Sequence, residues 1–239
     1  MTPTYDPSPG AWAQRYDWYW KEPFESEIRA RLTPGMSILD IGSGRAPSLP
    51  IAERPPECEY VGLDISEEEL VAAGPEAYSE SVVADIADPV PTLNDRFDLA
   101  ISWQVFEHVA HLDRAMSNVR GYVKPGGTLI SLLSGSYAVF SVANKIIPDR
   151  VGHALVTKTM SRQADKDPVF EAHYDQCHAS ALRRVMSDWS TVEVRPFYRA
   201  ATYFEFFAPL KSAYLAYENF IARRNVENLA THYLIIASR

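Results

Sequence analysis

Through the first half of the chain, apolar residues fall in short unbroken runs rich in β-branched types. These are Ser37–Ile41, Tyr60–Leu63, Ser81–Ala84, Phe97–Ser102 and Thr128–Leu133, with starts roughly twenty residues apart. A strand buried on both faces reads as such a run, and the recurrence is the rhythm of βαβ units. Between the runs, Glu67–Ala73 and Leu112–Val123 carry helical spacing. The pattern predicts a right-handed α/β arrangement, a parallel sheet with helices on both faces.

The second half reads differently. Ser136–Thr159 is apolar but broken by Pro148 and Gly152, which predicts two short helices. Ala179–Trp189 reads as a helix, Thr191–Phe197 and Thr231–Ala237 as strands. Tyr203–Ala222 carries seven aromatic residues, and positions 203, 206, 207, 210, 214 and 217 form a helical stripe. Three roles compete for that stripe: core packing, a homodimer interface through residues 203–220, and a wall for an aromatic, lipid or sugar acceptor. With no internal repeat, residues 1–239 are expected to form one domain, with helical cap or lid insertions near 136–178 and 200–228.

Composition narrows the picture. Hydrophobic residues make up 46% and charged residues 23%, which suits a globular domain with a core. Only the first ten residues, with three prolines and a glycine, read as a loose arm. The net charge is −8, and Lys/Arg clustering is limited to Arg183–Arg184 and Arg223–Arg224, so nucleic acid is set aside as a partner. Two cysteines build no disulfide framework, and the N-terminus lacks a signal-peptide pattern; a cytoplasmic protein is expected. The most apolar stretch, Thr128–Ile147, is interrupted by Ser134-Gly135-Ser136 and Asn144-Lys145, so no membrane span is expected.

Candidate chemistry lies at the ends of the predicted strands. The first ends in Asp40-Ile41-Gly42-Ser43-Gly44-Arg45-Ala46. Glycines there allow a sharp turn and bring backbone close to a ligand, as in any Rossmann-like nucleotide site. Val61-Gly62-Leu63-Asp64-Ile65 follows, with Asp64 placed 22 residues after Gly42 to take ribose hydroxyls. A second strand-tip acid stands in Val83-Ala84-Asp85-Ile86, where it could accept from an adenine amino group. The fourth run leads into Trp103-Gln104-Val105-Phe106-Glu107-His108, and Val123-Lys124-Pro125-Gly126-Gly127 forms a turn feeding the fifth.

These five elements, in order from about residue 36 to 133, resemble the class I S-adenosylmethionine-dependent methyltransferases, in the broad group that includes the ubiquinone and menaquinone enzymes. The resemblance implies a seven-stranded, mostly parallel Rossmann-like sheet closed by an antiparallel hairpin, which Thr191–Phe197 and Thr231–Ala237 would supply. It also implies S-adenosylmethionine as cofactor. Asp40, Gly42, Ser43 and Gly44 would line its methionine and ribose part. Asp64 with Ile65 would hold the ribose, Asp85 and Ile86 the adenine edge, and Trp103-Gln104 the face near the sulfonium. Tyr16, in the aromatic stretch Trp12–Trp20, would close over the methionine end as N-terminal helices do in similar enzymes, unless that stretch is only a packing helix. The family often has a third glycine where Ala46 stands.

The expected reaction is methylation of oxygen on a small or medium-sized acceptor, with a sugar or glycan hydroxyl slightly favoured. The alternatives are carbon or nitrogen methylation of a quinone, lipid or other small molecule, and a protein that binds the cofactor without turnover. A hydroxyl acceptor needs a base. His108 is the first candidate and Glu107 the second, although either residue could instead cap the helix that follows. Tyr137, His153, His173 and Tyr174 are candidate acceptor contacts. The mixture of His173, Asp175, Cys177 and His178 matches no zinc spacing, and a divalent metal is the less favoured reading.

Overall fold

The computed structural model describes residues 15–137 and 172–239. Seven strands form one sheet: β1 (Ser37–Ile41), β2 (Glu59–Asp64), β3 (Glu80–Val83), β4 (Phe97–Trp103), β5 (Val123–Ser134), β6 (Thr191–Phe197) and β7 (His232–Ser238). Their order is β3-β2-β1-β4-β5-β7-β6. The first five pair in parallel, and β7 runs antiparallel to both β5 and β6. The expected sheet and its closing hairpin are present.

Alternate residues of each strand feed two apolar layers. One face presents Leu39, Ile41, Val61, Leu63, Ala100 and Leu129 to α3 (Leu112–Tyr122) and α4 (Ala179–Val185). The other presents Ile38, Tyr60, Leu99, Ile101 and Ile130 to Trp18 and to α1 (Glu22–Arg29). Each fully buried aliphatic side chain contributes roughly 1.5–3 kcal/mol. Two further helices complete the described fold, α2 (Glu67–Ala72) and α5 (Ala208–Arg223). The Ser66 hydroxyl caps α2 by accepting from the Glu69 N–H at 3.3 Å, ahead of three glutamates in the first turn.

Several boundaries depart from the sequence pattern. Residues 15–21 run in turns, so the described part of Trp12–Trp20 is no helix; the helix begins later, at Glu22, with Pro23 in its first turn. Phe24 and Ile28, four apart, bury its inner face. The helix expected over Ala179–Trp189 ends at Val185. The aromatic stripe does not share one helical face: Ala201–Phe204 is a short 3-10 turn and α5 starts only at Ala208. Tyr214 packs inward, whereas Tyr203, Phe206, Phe207 and Leu210 are exposed. The two helices predicted within Ser136–Thr159 lie, beyond Tyr137, outside the described residues, as does the loose arm.

At the sheet's edge, β6 carries Glu193, Arg195 and Pro196, the last opposite Tyr233. Arg195 bridges Glu193 and Glu27, each at 2.5 Å. Among the described residues, no helix is long and apolar enough to cross a membrane.

Candidate active site

The chain turns as soon as β1 ends. Gly42 and Gly44 hold φ of +66° and +46°. A Cβ on Gly42 would stand 2.3 Å from Val105 Cγ2, so both dihedral and neighbour demand glycine. The Gly42 N–H donates to the Leu63 carbonyl at 2.6 Å, tying the turn to the end of β2. Beneath it, the buried Asp40 carboxylate accepts from the Ser48 N–H at 2.7 Å, the Ser48 hydroxyl at 2.8 Å and the Tyr60 hydroxyl at 2.6 Å. Burial lifts its pKa to about 6, against the pull of these donors. Asp40 therefore holds the loop from below, where the resemblance had it line the cofactor.

Above the loop lies a cleft of about 260 Å³, lined by Gly42, Ser43, Gly44 and Ser48, by Asp64 at the end of β2 and Glu69 in α2, and by Lys21 and Trp103. Because β2 and β4 flank β1 on opposite sides, the cleft opens at the carboxyl ends where strand order reverses, the usual ligand crevice of such sheets. Asp64 Oδ1 accepts from the Ser66 N–H at 2.9 Å, and Oδ2 faces Gly44, 3.5 Å from where a Cβ would stand. Burial raises its carboxyl above the ordinary range, with the Glu69 charge adding to the rise. A carboxylate offers acceptors only, which suits two ribose hydroxyls. Glu69 pairs with Arg45, whose Nε donates at 2.6 Å. The Trp103 ring is packed by Phe24 at 5.2 Å and Trp20 at 5.6 Å, and the Lys21 ammonium stands 4.9 Å from its centroid.

The two candidate bases stand on the 3-10 turn Phe106–His108. Glu107 is buried; its Oε1 accepts from the Ser134 N–H at 3.1 Å, and its Oε2 is buried without a hydrogen-bond partner among the described residues. Burial raises the Glu107 carboxyl, opposed in part by the charge of His108. His108 itself is half-buried. Residues 174–177 dock on this turn. The Tyr174 N–H donates to the Glu107 carbonyl at 2.8 Å, the Ser136 hydroxyl to the Tyr174 carbonyl at 2.9 Å, and Asp175 accepts the Leu112 N–H at 3.2 Å. Although much of the Tyr203 side chain is exposed, its hydroxyl is raised by desolvation, then by Tyr174 and Glu107.

Residues 39–131 match a family described as a methyltransferase domain. The ubiquinone biosynthesis O-methyltransferase of Rhizobium etli is 29% identical over 126 residues, covering 48% of this chain and 50% of that one. The demethylmenaquinone methyltransferase of Symbiobacterium thermophilum is 30% identical over 135 residues, covering 52% and 50%. The matched region spans about half the length of these curated relatives. The phosphoethanolamine N-methyltransferase 2 of Haemonchus contortus, solved with S-adenosyl-L-methionine, superposes with a TM-score of 0.54 at 13% identity, covering 97% of this chain and 53% of that one. At that identity the likeness is of fold. Residues 39–131 thus carry the likeness to a methyltransferase domain, and the solved neighbour extends the likeness of fold over the rest of the chain.

Of the residues expected from the sequence to bind the cofactor, Gly42, Ser43, Gly44, Asp64 and Trp103 share the cleft. Ile65 is exposed beside Asp64. Gln104 takes φ of +54° as its N–H donates to the Leu132 carbonyl at 2.7 Å, turning the chain away from β4. Asp85 spends Oδ1 on the Ala87 N–H at 2.8 Å, and the Ile86 side chain is buried in the sheet core; neither lines the cleft. The Tyr16 hydroxyl donates to Glu218 and accepts from the Ala201 N–H at 2.9 Å, so it faces α5; Lys21 is the N-terminal residue that reaches the cleft. His173 is exposed, and Tyr137 is exposed with its ring 5.1 Å from that of His178. His153 lies outside the described residues. Lys21, Ser48, Glu69 and Arg45 escaped the sequence reading, since only the fold brings residues 21, 69 and 103 to one loop. Among the described residues no three His, Cys, Asp or Glu side chains converge as metal ligands.

Proposed function

We propose that the protein transfers the methyl group of S-adenosylmethionine to an oxygen of a small aromatic acceptor, of the phenol or quinol type, in the cytoplasm. The observation that carries the reading is the cleft at the switch point of the sheet, with two glycines, an acceptor-only carboxylate and an aromatic wall on one rim. S-adenosylmethionine, when bound, supplies an electrophilic methyl on a sulfonium and leaves as the neutral thioether S-adenosylhomocysteine. Gly42 and Gly44 let the loop backbone approach it, Asp64 accepts from its ribose, Lys21 meets its carboxylate, and Trp103 presents a ring face to positive charge.

The chain's own contribution to chemistry is to place the acceptor oxygen about 3 Å from the methyl carbon and to take its proton. Glu107 is the base this reading favours, because one of its oxygens is buried and unused. The acceptor hydroxyl gives its proton to Oε2, and the half-buried His108 beside it passes that proton toward solvent. A phenol ionises near pH 10 and a water-like hydroxyl near about 16. A carboxylate raised by burial is much better matched to the former. The relatives' names agree: they concern quinones, and the sugar hydroxyl favoured from the sequence has no counterpart among those reported.

Calorimetric titration with S-adenosylmethionine, S-adenosylhomocysteine and NAD, followed by labelled-methyl transfer to catechols and to sugars, tests the proposal. Binding of the sulfur compounds alone with transfer to catechols is expected. Transfer to sugars but not catechols would overturn the acceptor assignment, and binding without any transfer would favour a protein that holds the cofactor without turnover. Separately, His108→Ala is expected to retain more activity than Glu107→Gln; the reverse order would return His108 to the role of base.

A further inference from the structure

Glu218, on α5, is fully buried and lies outside the cleft. Its Oε1 accepts from the Ala200 N–H at 2.5 Å, while Oε2 takes the Tyr16 hydroxyl and Nη2 of Arg15, the latter at 3.4 Å. Arg15 Nε also donates to the Tyr198 carbonyl at 2.5 Å. One carboxylate thus joins three separate pieces of chain: α5, the N-terminal segment at residues 15–16, and the turn at 198–201. The latch continues toward the cleft. Arg199 Nη2 donates to the Trp18 carbonyl at 2.8 Å, and its guanidinium lies 5.9 Å from the Trp20 ring. Trp20 packs edge-on against His232 at 4.5 Å and Trp103 at 5.6 Å. The next residue, Lys21, lies over Trp103.

We propose that Glu218 is a positioning residue for the cofactor cleft: by latching residues 15–16 to α5 it holds Trp20 and Lys21 against Trp103. The inference rests on the reading of that cleft as the S-adenosylmethionine site. Its physical basis is short reach. Four residues separate Tyr16 from Lys21, and a segment that makes turns rather than a helix has no internal ladder to keep its shape. Its conformation must come from tethers: the Trp18 ring set into the core, the Arg199 bond to the Trp18 carbonyl, and the buried Glu218 cluster at the Tyr16 end. Loosening the Glu218 end gives the wall more conformations, and the cofactor must then order it on binding. Bond making at the acceptor, assigned above to Glu107, involves none of these contacts.

The test uses Glu218→Gln, which keeps the shape but loses the ion pair with Arg15, and Tyr16→Phe, which removes a single hydroxyl and is the milder change for folding. S-adenosylhomocysteine affinity by calorimetry well below the melting temperature is expected to weaken roughly tenfold in Glu218→Gln and about threefold in Tyr16→Phe. Tryptophan emission of the free protein should shift to the red as Trp18 and Trp20 loosen. The kcat of Glu218→Gln at saturating cofactor should stay within about twofold of the parent. Lower melting temperatures with unchanged affinity and emission in both variants would overturn the proposal, leaving the latch a stabilising contact alone. A parent protein that binds neither sulfur compound would instead refute the cofactor reading on which the inference stands.

Discussion

Asp40 and Glu107 are both fully buried carboxyl groups near the ends of neighbouring strands, yet their surroundings differ. Asp40 meets three donors and each of its oxygens is used. Glu107 meets one backbone N–H, and its second oxygen faces no donor among the described residues. A buried polar atom without a partner costs about 1–3 kcal/mol, a penalty that a bound molecule can remove. The bonding around Asp40 is complete before anything binds, whereas Glu107, like the Ser43 hydroxyl that lines the cleft, keeps one buried oxygen without a partner among the described residues. Under the proposed reading, the first group holds structure and the second is available for chemistry.

The largest test strikes the loop above Asp40. Gly42→Ala puts a methyl on Val105 at a positive φ, and is expected to cost about 3 kcal/mol of stability and more than about 100-fold in cofactor affinity. Adding Val105→Ala should return part of both; no recovery in urea melts would mean that the clash is not the cause. Next, the two carboxyls can be exchanged for amides. Asp40→Asn should lose about 2–3 kcal/mol of stability, since an amide nitrogen cannot accept from Ser48 or Tyr60. Glu107→Gln should lower kcat about 100-fold while the cofactor affinity and the urea midpoint change little. If both variants fail in the same way, the contrast between the two carboxyls is wrong. Lys21→Met should weaken S-adenosylmethionine about tenfold but leave its decarboxylated analogue nearly unaffected. Equal losses for both ligands would remove Lys21 from the carboxylate.

The smallest effect is on the pH dependence of stability. Asp40 titrates near 6 in the folded chain against an ordinary 3.8, so its contribution is full below about pH 4 and lost as pH rises through 6. His232, pushed down to about 3 by burial and by Arg199, works the other way: its contribution is present above 6.5 and lost as pH falls toward 3. Between pH 4 and 6 the two slopes oppose. His232→Phe should leave a protein that gains stability on acidification from pH 6 to 4, read from urea midpoints. Adding Asp40→Asn should remove much of that gain; an unchanged pH profile in the double variant would show that Asp40 does not carry the assigned shift.

The sheet was legible because seven apolar runs of the right length, with acids and glycines at their tips, leave little freedom of arrangement. Ser37–Ile41 and Thr191–Phe197 even coincide with the observed strand limits. Helix α1 was missed because only Phe24 and Ile28 mark its buried face, and the tryptophans before it drew attention to the wrong stretch. The stripe from Tyr203 was misread as one face because Pro209 opens a new helix rather than continuing an old one. In the site, the glycines and Asp64 announced themselves through spacing. Asp40 and Ile86 carried the right residue types but point into the protein, Asp40 by the side of β1 it occupies and Ile86 by the turn beyond β3 that folds it into the core. Lys21 and Glu218 were beyond reach, since their roles depend on contacts across more than eighty residues of chain.

Strand β6 has a consequence for how this protein lives with its neighbours. It ends the sheet, and an end strand is a template on which another copy could lengthen the sheet by backbone pairing. Pro196 brings no N–H to that border, and the Glu193–Arg195 pair sets opposite charges along it. A second strand laid alongside would lose a hydrogen bond at the proline and have to strip water from the pair. Growth of a ribbon from this border is thereby discouraged.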